Sequence, residues 1–173
     1  MSELNNNQPA QEPELSEILQ IRRDKLAGLQ QEGRDPFQQT KFVRTAWSKE
    51  IKDNYSEFEG KTVSVCGRMM SKRGMGKAIF CHIQDGQGQI QLYIRSDAVS
   101  QQEFADFRKY DIGDIIGVSG YVFKTKTEEI SVHVQSVVLL SKSLRPLPEK
   151  FHGMTNTELK YRQRYVDLIV NED

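Results

Sequence analysis

The sequence is poor in the residues that build metal centres and disulfide frameworks. It has two cysteines and three histidines among 173 residues. Cys66 and Cys81 lie in predicted strands without a paired spacing, which indicates reduced thiols, with a disulfide between neighbouring strands as the alternative. His82, His133 and His152 are dispersed and lack the spacing of metal ligands. We therefore predict that the chain has no metal site.

Targeting and membrane-spanning segments are also missing. The first 21 residues contain no Lys or Arg and no apolar run, which excludes a secretory signal and a transit peptide. No stretch reaches the roughly 20 apolar residues that a transmembrane helix needs. These absences predict a cytoplasmic protein.

The sequence shows no motif for nucleotide hydrolysis or nucleophilic catalysis. The segment Gly74-Met75-Gly76 lacks the further glycines and the Lys-Ser/Thr pair of a phosphate-binding loop, so it is typical of a hairpin turn. No Ser/His/Asp or Cys/His arrangement stands out, although distant residues could still form one. The pattern therefore predicts a binding module with no catalytic residues and no cofactor of its own.

Opposite charges balance over the whole chain but are segregated along it. The formal net charge is zero, so any attraction to nucleic acid must come from a local patch. Residues 61–95 hold one acidic residue, Asp85, and six basic residues: Lys61, Arg68, Lys72, Arg73, Lys77 and Arg95. From this cluster we expect Lys72, Lys77 and Arg68 to contact the phosphate backbone of a nucleic acid.

The same segment has the alternation of three antiparallel strands joined by two glycine-containing turns. One set of alternating side chains is aliphatic and must face a core. The other set carries aromatic, imidazole, carboxamide and guanidinium groups: Phe80, His82, Gln91, Tyr93 and Arg95. Such a surface suits an unpaired base. On the pattern alone, ordinary cross-strand packing of an exposed sheet face is an equal alternative.

Helical spacing appears before the strands and again after them. It covers residues 14–32, where Gly33 follows as a C-cap, residues 43–60, and residues 155–170 near the end of the sequence. Ser100 and Glu103 have the spacing of a capping box, which indicates the start of a short third helix.

Two further strands follow that short helix, over residues 114–123 and 130–140. Five strands with a helix between the third and fourth is the order of an OB-fold, a small barrel that binds oligonucleotides on its second and third strands. The predicted fold is therefore mainly β, a five-stranded OB-fold barrel with N-terminal helices and a short helix between strands 3 and 4. The predicted parts of the chain are a disordered tail (1–13), a helical extension (14–60), the barrel (61–141) and a linker with the start of a further domain (142–173).

One residue of the basic cluster does not fit the simple alternation. Counting by two from Val63 and Val65 places Arg73 on the core side of the first strand. A bulge near Gly67, or the start of the following turn, would reset the alternation and turn Arg73 outward. The side on which Arg73 lies is therefore left open by the sequence.

Several segments of the sequence resemble one known family. They are Arg68–Phe80, Gln89–Tyr93, Gly113–Ile115, Phe123–Thr127, Leu144–Gly153 and Tyr161–Leu168. Together they resemble the N-terminal part of bacterial class II lysyl-tRNA synthetases, from about Leu15 to the last residue. The barrel segments alone would also resemble aspartyl and asparaginyl enzymes, whereas the last two segments select the lysine enzymes.

The resemblance implies an anticodon-binding barrel followed, in residues 142–173, by a linker and the start of a class II catalytic domain. In such enzymes the full chain activates lysine with ATP and magnesium and esterifies it to tRNA(Lys) as a homodimer. This sequence stops before the three class II motifs of the family. We therefore expect it to bind a tRNA(Lys) anticodon stem-loop, to contact no membrane and to catalyse nothing by itself.

The resemblance also implies roles for five residues. Phe80 corresponds to the residue that stacks on the central anticodon base, and Gln91 and Arg73 correspond to residues that hydrogen-bond it. Uracil presents an acceptor, a donor and an acceptor on its pairing edge, which a carboxamide and a guanidinium can meet. Tyr93 matches a second aromatic position, and Glu129 matches an acidic residue that accepts a hydrogen bond from a neighbouring base.

Two other functions remain open at this point. One is a sequence-tolerant single-strand-binding module, which would use the same face without reading the bases. The other is a protein-interaction domain that uses the N-terminal helices and binds no RNA. Affinities for stem-loops with different central bases distinguish these functions from anticodon reading.

Overall fold

The computed structural model describes residues 15–148 and 157–171. Its helices are α1 (Leu15–Gln31), α2 (Ser48–Asp53), α3 (Tyr55–Phe58), α4 (Gln101–Lys109), α5 (Thr157–Arg162) and α6 (Arg164–Val170), with a 3-10 turn at Pro36–Gln38. Its strands are β1 (Thr62–Met75), β2 (Ala78–Gln84), β3 (Gln89–Arg95), β4 (Ile115–Lys124) and β5 (Ile130–Ser141). The predicted disordered tail, residues 1–13, lies outside the described residues.

The five strands close into a barrel in the order β1-β2-β3-β5-β4. Neighbouring strands are antiparallel, except that β3 and β5 pair in parallel over residues 91–93 of β3. In the chain, α4 lies between β3 and β4. The prediction of a mainly β, five-stranded OB-fold barrel with N-terminal helices and a short helix after the third strand is therefore confirmed.

The aliphatic residues that alternate along the strands fill the barrel. Six inward residues of β2 and β3 are at most 2% exposed: Ile79, Cys81, Ile83, Ile90, Leu92 and Ile94. Burying each large aliphatic side chain stabilises the fold by roughly 1.5–3 kcal/mol. Phe107 of α4 is fully buried in the same cluster, which fastens that helix to the barrel. Burial in this core places the alternate, outward residues of β2 and β3 on the opposite face of the sheet.

The capping box predicted for the third helix is present at the start of α4. The Ser100 hydroxyl accepts a hydrogen bond from the Glu103 backbone N–H at 3.1 Å, and the Glu103 carboxylate accepts one from the Ser100 backbone N–H at 3.2 Å. The second carboxylate oxygen of Glu103 accepts from the Val137 N–H on β5 at 3.1 Å. The cap therefore ends the loop and ties the helix to the barrel.

β1 is long enough to serve two neighbours because it bends at a glycine. Residues up to Arg68 pair with β4, and residues from Arg68 onward pair with β2. A Cβ atom at Gly67 would lie 2.5 Å from the carbonyl oxygen of Gln84 at the end of β2. Only glycine permits this approach, so the sharp bend expected at Gly67 is present as a close backbone contact.

The register shift in β1 falls after this bend, between Met69 and Ser71. The shift resets the alternation, and Arg73 consequently pairs with the outward residue Phe80. The sequence allowed either side for Arg73; the structure places it on the outer face. The bulge thus occurs, but two to three residues later than the position near Gly67 that the glycine suggested.

The second predicted helix begins later than its pattern indicates. Residues 41–47 are not helical. In this stretch the Thr45 N–H donates to the Ser64 carbonyl at 2.9 Å, and the Thr45 hydroxyl accepts from the Ser64 N–H at 2.8 Å. The ring of Phe42 lies against Gly117, where a Cβ would be 2.6 Å from it. Pairing with β1 and packing on a bare glycine therefore override the helical spacing, and the helix is confined to α2 and α3.

The first predicted helix is confirmed as α1, and Gly33 ends it with φ +71°. Arg22 of this helix is only 8% exposed. Its guanidinium donates to the carbonyl oxygens of Ser143, Arg145 and Ile112 at 3.1–3.2 Å. Arg22 therefore fastens α1 to the segment that leaves the barrel.

The helical pattern predicted for residues 155–170 is divided into two helices in the described part. α5 ends at Arg162 and α6 begins at Arg164, and the residue between them, Gln163, has φ −123° and ψ 51°. Tyr161, Tyr165 and Leu168 of these helices are exposed. The first residues of the predicted pattern, 155 and 156, lie outside the described residues.

Both cysteines are free thiols, as predicted, and the alternative disulfide is absent. Burial raises the pKa of the Cys81 thiol to about 12, so this group stays protonated and unreactive. Within residues 15–148 and 157–171, no group of three His, Cys, Asp or Glu side chains could hold a metal ion. None of the helices in this described part is long and apolar enough to cross a membrane.

Candidate nucleic-acid interface

A row of aromatic side chains crosses the outer face of the barrel. This aromatic row consists of Phe80 on β2, Tyr93 on β3, His133 on β5 and Tyr121 on β4, which are partners in the strand register. The ring centroids are 4.8 Å apart for Phe80 and Tyr93, 5.2 Å for Tyr93 and His133, and 4.7 Å for His133 and Tyr121. Such contacts hold each ring in place. Arg73 stands next to Phe80 at one end of the row.

A row of polar side chains runs beside the aromatic row. This polar row consists of Ser71 on β1, His82 on β2, Gln91 on β3 and Ser131 on β5. The Ser131 hydroxyl donates to Oε1 of Gln91 at 2.8 Å, and His82 is within 3.0 Å of the Ser71 hydroxyl. Each member is therefore held by another member, and the row presents oriented donors and acceptors next to flat rings.

A cleft of about 550 Å³ opens over part of the two rows. Its lining includes four of the five residues that the sequence singled out for base recognition: Arg73, Phe80, Gln91 and Tyr93. Phe123 near the end of β4 and residues 125–127 of the following hairpin complete the lining. A ring surface, a carboxamide and a guanidinium therefore converge on one space, as stacking and edge recognition of a base require.

Gln91 lies deeper than a residue on an exposed sheet face. It is 5% exposed, and its Oε1 accepts the hydrogen bond from Ser131. Gln91 is thus part of the floor of the cleft, and its carboxamide is oriented by a neighbouring strand. No pattern in the sequence indicates this contact, because the pairing of β3 with β5 joins residues 40 positions apart.

Glu129 does not line the cleft and stands immediately beside it. Its carboxylate Oε1 is 3.0 Å from Nε2 of His82. The backbone N–H of Glu129 donates to the Thr125 hydroxyl at 3.1 Å, and its carbonyl oxygen lies 3.3 Å from the Ser131 hydroxyl oxygen. The base of the hairpin therefore sets the position of Glu129, next to the floor residue Gln91.

His133, in the middle of the aromatic row, has a lowered pKa. Burial lowers the pKa of its imidazole, and the nearby positive charge of Arg95 lowers it further. A neutral ring stacked against Tyr121 with 9° between the planes forms part of the sheet surface. The row is therefore a largely uncharged platform near neutral pH.

The structure corrects the phosphate contact expected for Lys72. Its ammonium group donates to the carbonyl oxygens of Phe107, Arg108 and Tyr110 at 2.7–2.8 Å, at the C-terminal end of α4. Burial lowers the pKa of Lys72 to about 8. The physical reason is the register shift in β1, which leaves Lys72 opposite the buried Cys81. Lys72 therefore caps a helix.

Arg68 and Lys77 have different surroundings. The Arg68 guanidinium donates to the Gly113 carbonyl at 2.8 Å, and the side chain lines a groove with Leu15, Leu19 and residues 142–148. This groove is separate from the cleft, so the predicted phosphate contact of Arg68 finds no support in its placement. Lys77 is exposed in the turn between β1 and β2. A phosphate contact by Lys77 stays a prediction.

The sequence did not single out one basic residue of the cleft. Lys126 is exposed at its rim, in the hairpin between β4 and β5. A basic group at the rim of an aromatic cleft can contact the phosphates on either side of a bound base. The segment Phe123–Thr127 contributed to the family resemblance, and this was the only sign of Lys126 in the sequence.

Comparisons with known proteins agree with this geometry. Residues 63–140 match the tRNA anti-codon family, described as an OB-fold nucleic acid binding domain. The chain is 50% identical over all its 173 residues to a lysine–tRNA ligase of Clostridium tetani (strain Massachusetts / E88), of which it covers 34%. It is 52% identical over 162 residues, 94% of its length, to a lysine–tRNA ligase of Clostridium novyi (strain NT), of which it covers 32%. The chain thus spans about a third of the length of these curated relatives.

The family match and the cleft coincide in the chain. The matched residues include nearly all of the barrel, and they contain every residue that lines the cleft. The described structure and the match therefore point to the same surface. The barrel thus matches the tRNA anti-codon family of OB-fold nucleic acid binding domains over residues 63–140, and the chain is homologous to the N-terminal region of lysine–tRNA ligases.

Proposed function

We propose that this chain recognises the anticodon loop of tRNA(Lys) and that the central uridine of the anticodon occupies the cleft. The observation that carries the proposal is the convergence of Arg73, Phe80, Gln91 and Tyr93 on one space of about 550 Å³. In this arrangement the Phe80 ring receives the base, and Tyr93 supports that ring from 4.8 Å away.

The edge of the base is read by the polar groups of the cleft. Gln91 is oriented by the hydrogen bond from Ser131 to its Oε1, so the amide nitrogen is the group that can donate to a uracil carbonyl. Arg73 supplies a second set of donors for the other carbonyl. Cytosine presents an amino group in place of one carbonyl, which leaves a donor of the cleft facing another donor.

Titration with anticodon stem-loops tests the proposal. A loop with uridine at the central position should bind more tightly than the same loop with cytosine, by a factor of about ten for one unmatched hydrogen bond. Equal affinity for the two loops would contradict anticodon reading and would favour a sequence-tolerant single-strand-binding module. No affinity for either loop would favour a protein-interaction domain.

For the longer protein that would contain this chain, we propose the activity of its relatives. The relatives are named lysine–tRNA ligases, and the chain covers about a third of their length. We infer that the longer protein is cytoplasmic and homodimeric and that it activates lysine with ATP and Mg²⁺. This chain alone should show no lysine-dependent ATP–pyrophosphate exchange, whereas the longer gene product should show it. Exchange activity of the chain alone would contradict the proposal.

A further inference from the structure

Three side chains form a hydrogen-bonded chain across the polar row. The Ser71 hydroxyl lies 3.0 Å from Nδ1 of His82, and Nε2 of His82 lies 3.0 Å from Oε1 of Glu129. The side chains of His82 and Glu129 are 25% and 40% exposed. The Ser71 and His82 positions are partners in the β1–β2 register, whereas Glu129 reaches His82 from the hairpin before β5. These two hydrogen bonds therefore link three separate segments, namely β1, β2 and the hairpin before β5.

The chemistry of the carboxylate fixes the direction of one of the two hydrogen bonds. An ionised carboxylate can only accept, so Nε2 of His82 carries the proton that Glu129 receives. The Ser71 hydroxyl can either donate or accept, so it can partner the other nitrogen, Nδ1, whether or not that nitrogen carries a proton. Ser71 thus orients the imidazole, and the imidazole orients the carboxylate through Oε1. Within residues 15–148 and 157–171 no group donates to the second oxygen, Oε2, which leaves this oxygen for an outside donor.

Glu129 is close to the proposed base site without being part of its lining. The Ser131 hydroxyl contacts both Oε1 of Gln91, at 2.8 Å, and the Glu129 carbonyl, at 3.3 Å. A base seated over Gln91 consequently has the Glu129 carboxylate beside it. A free acceptor at that place suits the nucleotide that is adjacent in the RNA chain.

We propose that His82 is a positioning residue that presents Oε2 of Glu129 to an N–H group of the nucleotide next to the stacked base. This inference rests on the proposed anticodon function and adds a requirement to it: the neighbouring base must carry a ring N–H or an amino group. His82 does not touch the RNA in this arrangement. His82 holds the Glu129 carboxylate in one orientation before the RNA binds. Binding therefore avoids the entropy cost of ordering that side chain.

Two substitutions of similar size separate positioning from packing. The amide nitrogen of His82→Gln can reach about the position of Nε2 and donate to Glu129, whereas that of His82→Asn reaches only about the position of Nδ1, next to Ser71. The first variant should keep the orientation of Glu129 and the second should lose it. Ser71→Ala should weaken the orientation in part, because the imidazole keeps only one of its two partners.

The measured quantity is the discrimination at each nucleotide that flanks the central one. It is the ratio of affinities for a stem-loop with uridine and one with 3-deazauridine, in which a C–H replaces the ring N–H. At one flanking position this ratio should be about tenfold for the unchanged chain and for His82→Gln, as expected for a hydrogen bond to a charged group. It should fall below about threefold for His82→Asn and for Glu129→Gln.

The central nucleotide provides the internal control. Discrimination between uridine and cytosine at that position should stay the same in all the variants, because it depends on Gln91 and Arg73. Equal flanking ratios in His82→Gln and His82→Asn, whether both unchanged or both lost, would overturn the positioning role of His82. If the unchanged chain fails to discriminate between uridine and cytosine at the central position, the proposed function itself is wrong. This result is distinguishable from a change in the flanking ratios, which concerns only His82 and Glu129.

Discussion

Phe80 has no obvious role in the barrel core, since its ring lies on the outer face against Tyr93 and lines the cleft. Replacing the ring removes the surface on which a base can stack. We expect Phe80→Ala to weaken binding of an anticodon stem-loop by about 1–3 kcal/mol without unfolding the chain. Fluorescence titration measures the affinity, and thermal unfolding followed by circular dichroism checks the fold.

The matched control for Phe80 is Tyr121, at the far end of the aromatic row. Its ring is stacked on His133 with centroids 4.7 Å apart and does not line the cleft. Tyr121→Ala should therefore leave the RNA affinity close to that of the unchanged chain. An equal loss for both variants would mean that the whole row binds RNA, and no loss for Phe80→Ala would remove the central role of this ring.

Lysine residues near the cleft should differ in their effect on salt dependence. Lys126 is exposed at the rim, so Lys126→Met should remove about one phosphate contact and flatten the slope of log affinity against log salt by about 0.7. Lys72 donates to three backbone carbonyls of α4 and its neighbouring loop. Lys72→Met should therefore leave this slope unchanged. The slope for each variant is obtained from affinities at four or more salt concentrations. A flatter slope for Lys72→Met would contradict the role of Lys72 as a helix cap.

The sequence predicted single residues well where only the alternation of a strand mattered. Phe80, Tyr93 and Gln91 lie on the outer face because their neighbours in the chain are aliphatic. It failed for Lys72, because a register shift after Met69 moves the following residues to the other side, and no residue pattern marks such a shift. The sequence also missed the contact between Ser131 and Gln91, which depends on strand pairing between distant segments.

At the scale of elements, the bend of β1 depends on the absence of one side chain. A Cβ at Gly67 would lie 2.5 Å from a backbone carbonyl oxygen that cannot move independently, whereas a Cβ at Gly74 would have its nearest neighbour at 3.8 Å. We expect Gly67→Ala to lower the free energy of unfolding by about 1–3 kcal/mol. Urea denaturation of both variants measures the difference.

Gly74→Ala is the matched control, since it lies in the same strand and has room for a methyl group. Its free energy of unfolding should stay within about 0.5 kcal/mol of the unchanged chain. Equal stabilities of the two alanine variants would show that β1 can open away from β2 at the bend. In that case the tight crossing at Gly67 would not be required for closing the barrel.

The elements that follow a simple period were predicted from the sequence, and those that depend on partners were not. α1, α4 and the five strands have regular apolar spacing, and all are present. The spacing in residues 43–47 is equally regular, but the backbone there pairs with Ser64 of β1. Helix propensity is a weak preference, and hydrogen bonding to an available strand outweighs it. The apolar pattern is also continuous over α5 and α6, and it does not indicate the break between the two helices at Gln163.

At the scale of the whole molecule, the balance of charge conceals the separation of roles. The net charge is zero, yet Arg73 and Lys126 lie together at the cleft, while Arg22 and Lys72 are used internally. The sequence does not distinguish these two groups, since nothing in it marks whether a basic residue lies in a buried hydrogen-bond network or on the surface. Burial and partners decide which cations are available to RNA.

The position of α1 on the barrel depends on Arg22, which donates to carbonyl oxygens of Ser143, Arg145 and Ile112. Replacing it by methionine keeps much of the apolar stem but leaves these partly buried acceptors without the charged donor. We expect Arg22→Met to lower the free energy of unfolding by about 1.5–3 kcal/mol and to make α1 more sensitive to limited proteolysis.

The neighbouring Arg23 is exposed, so Arg23→Met should change neither property. Both variants should bind the anticodon stem-loop as tightly as the unchanged chain, because α1 contributes no residue to the cleft. If Arg22→Met keeps its stability and its resistance to protease, the apolar contacts of α1 alone hold the helix on the barrel.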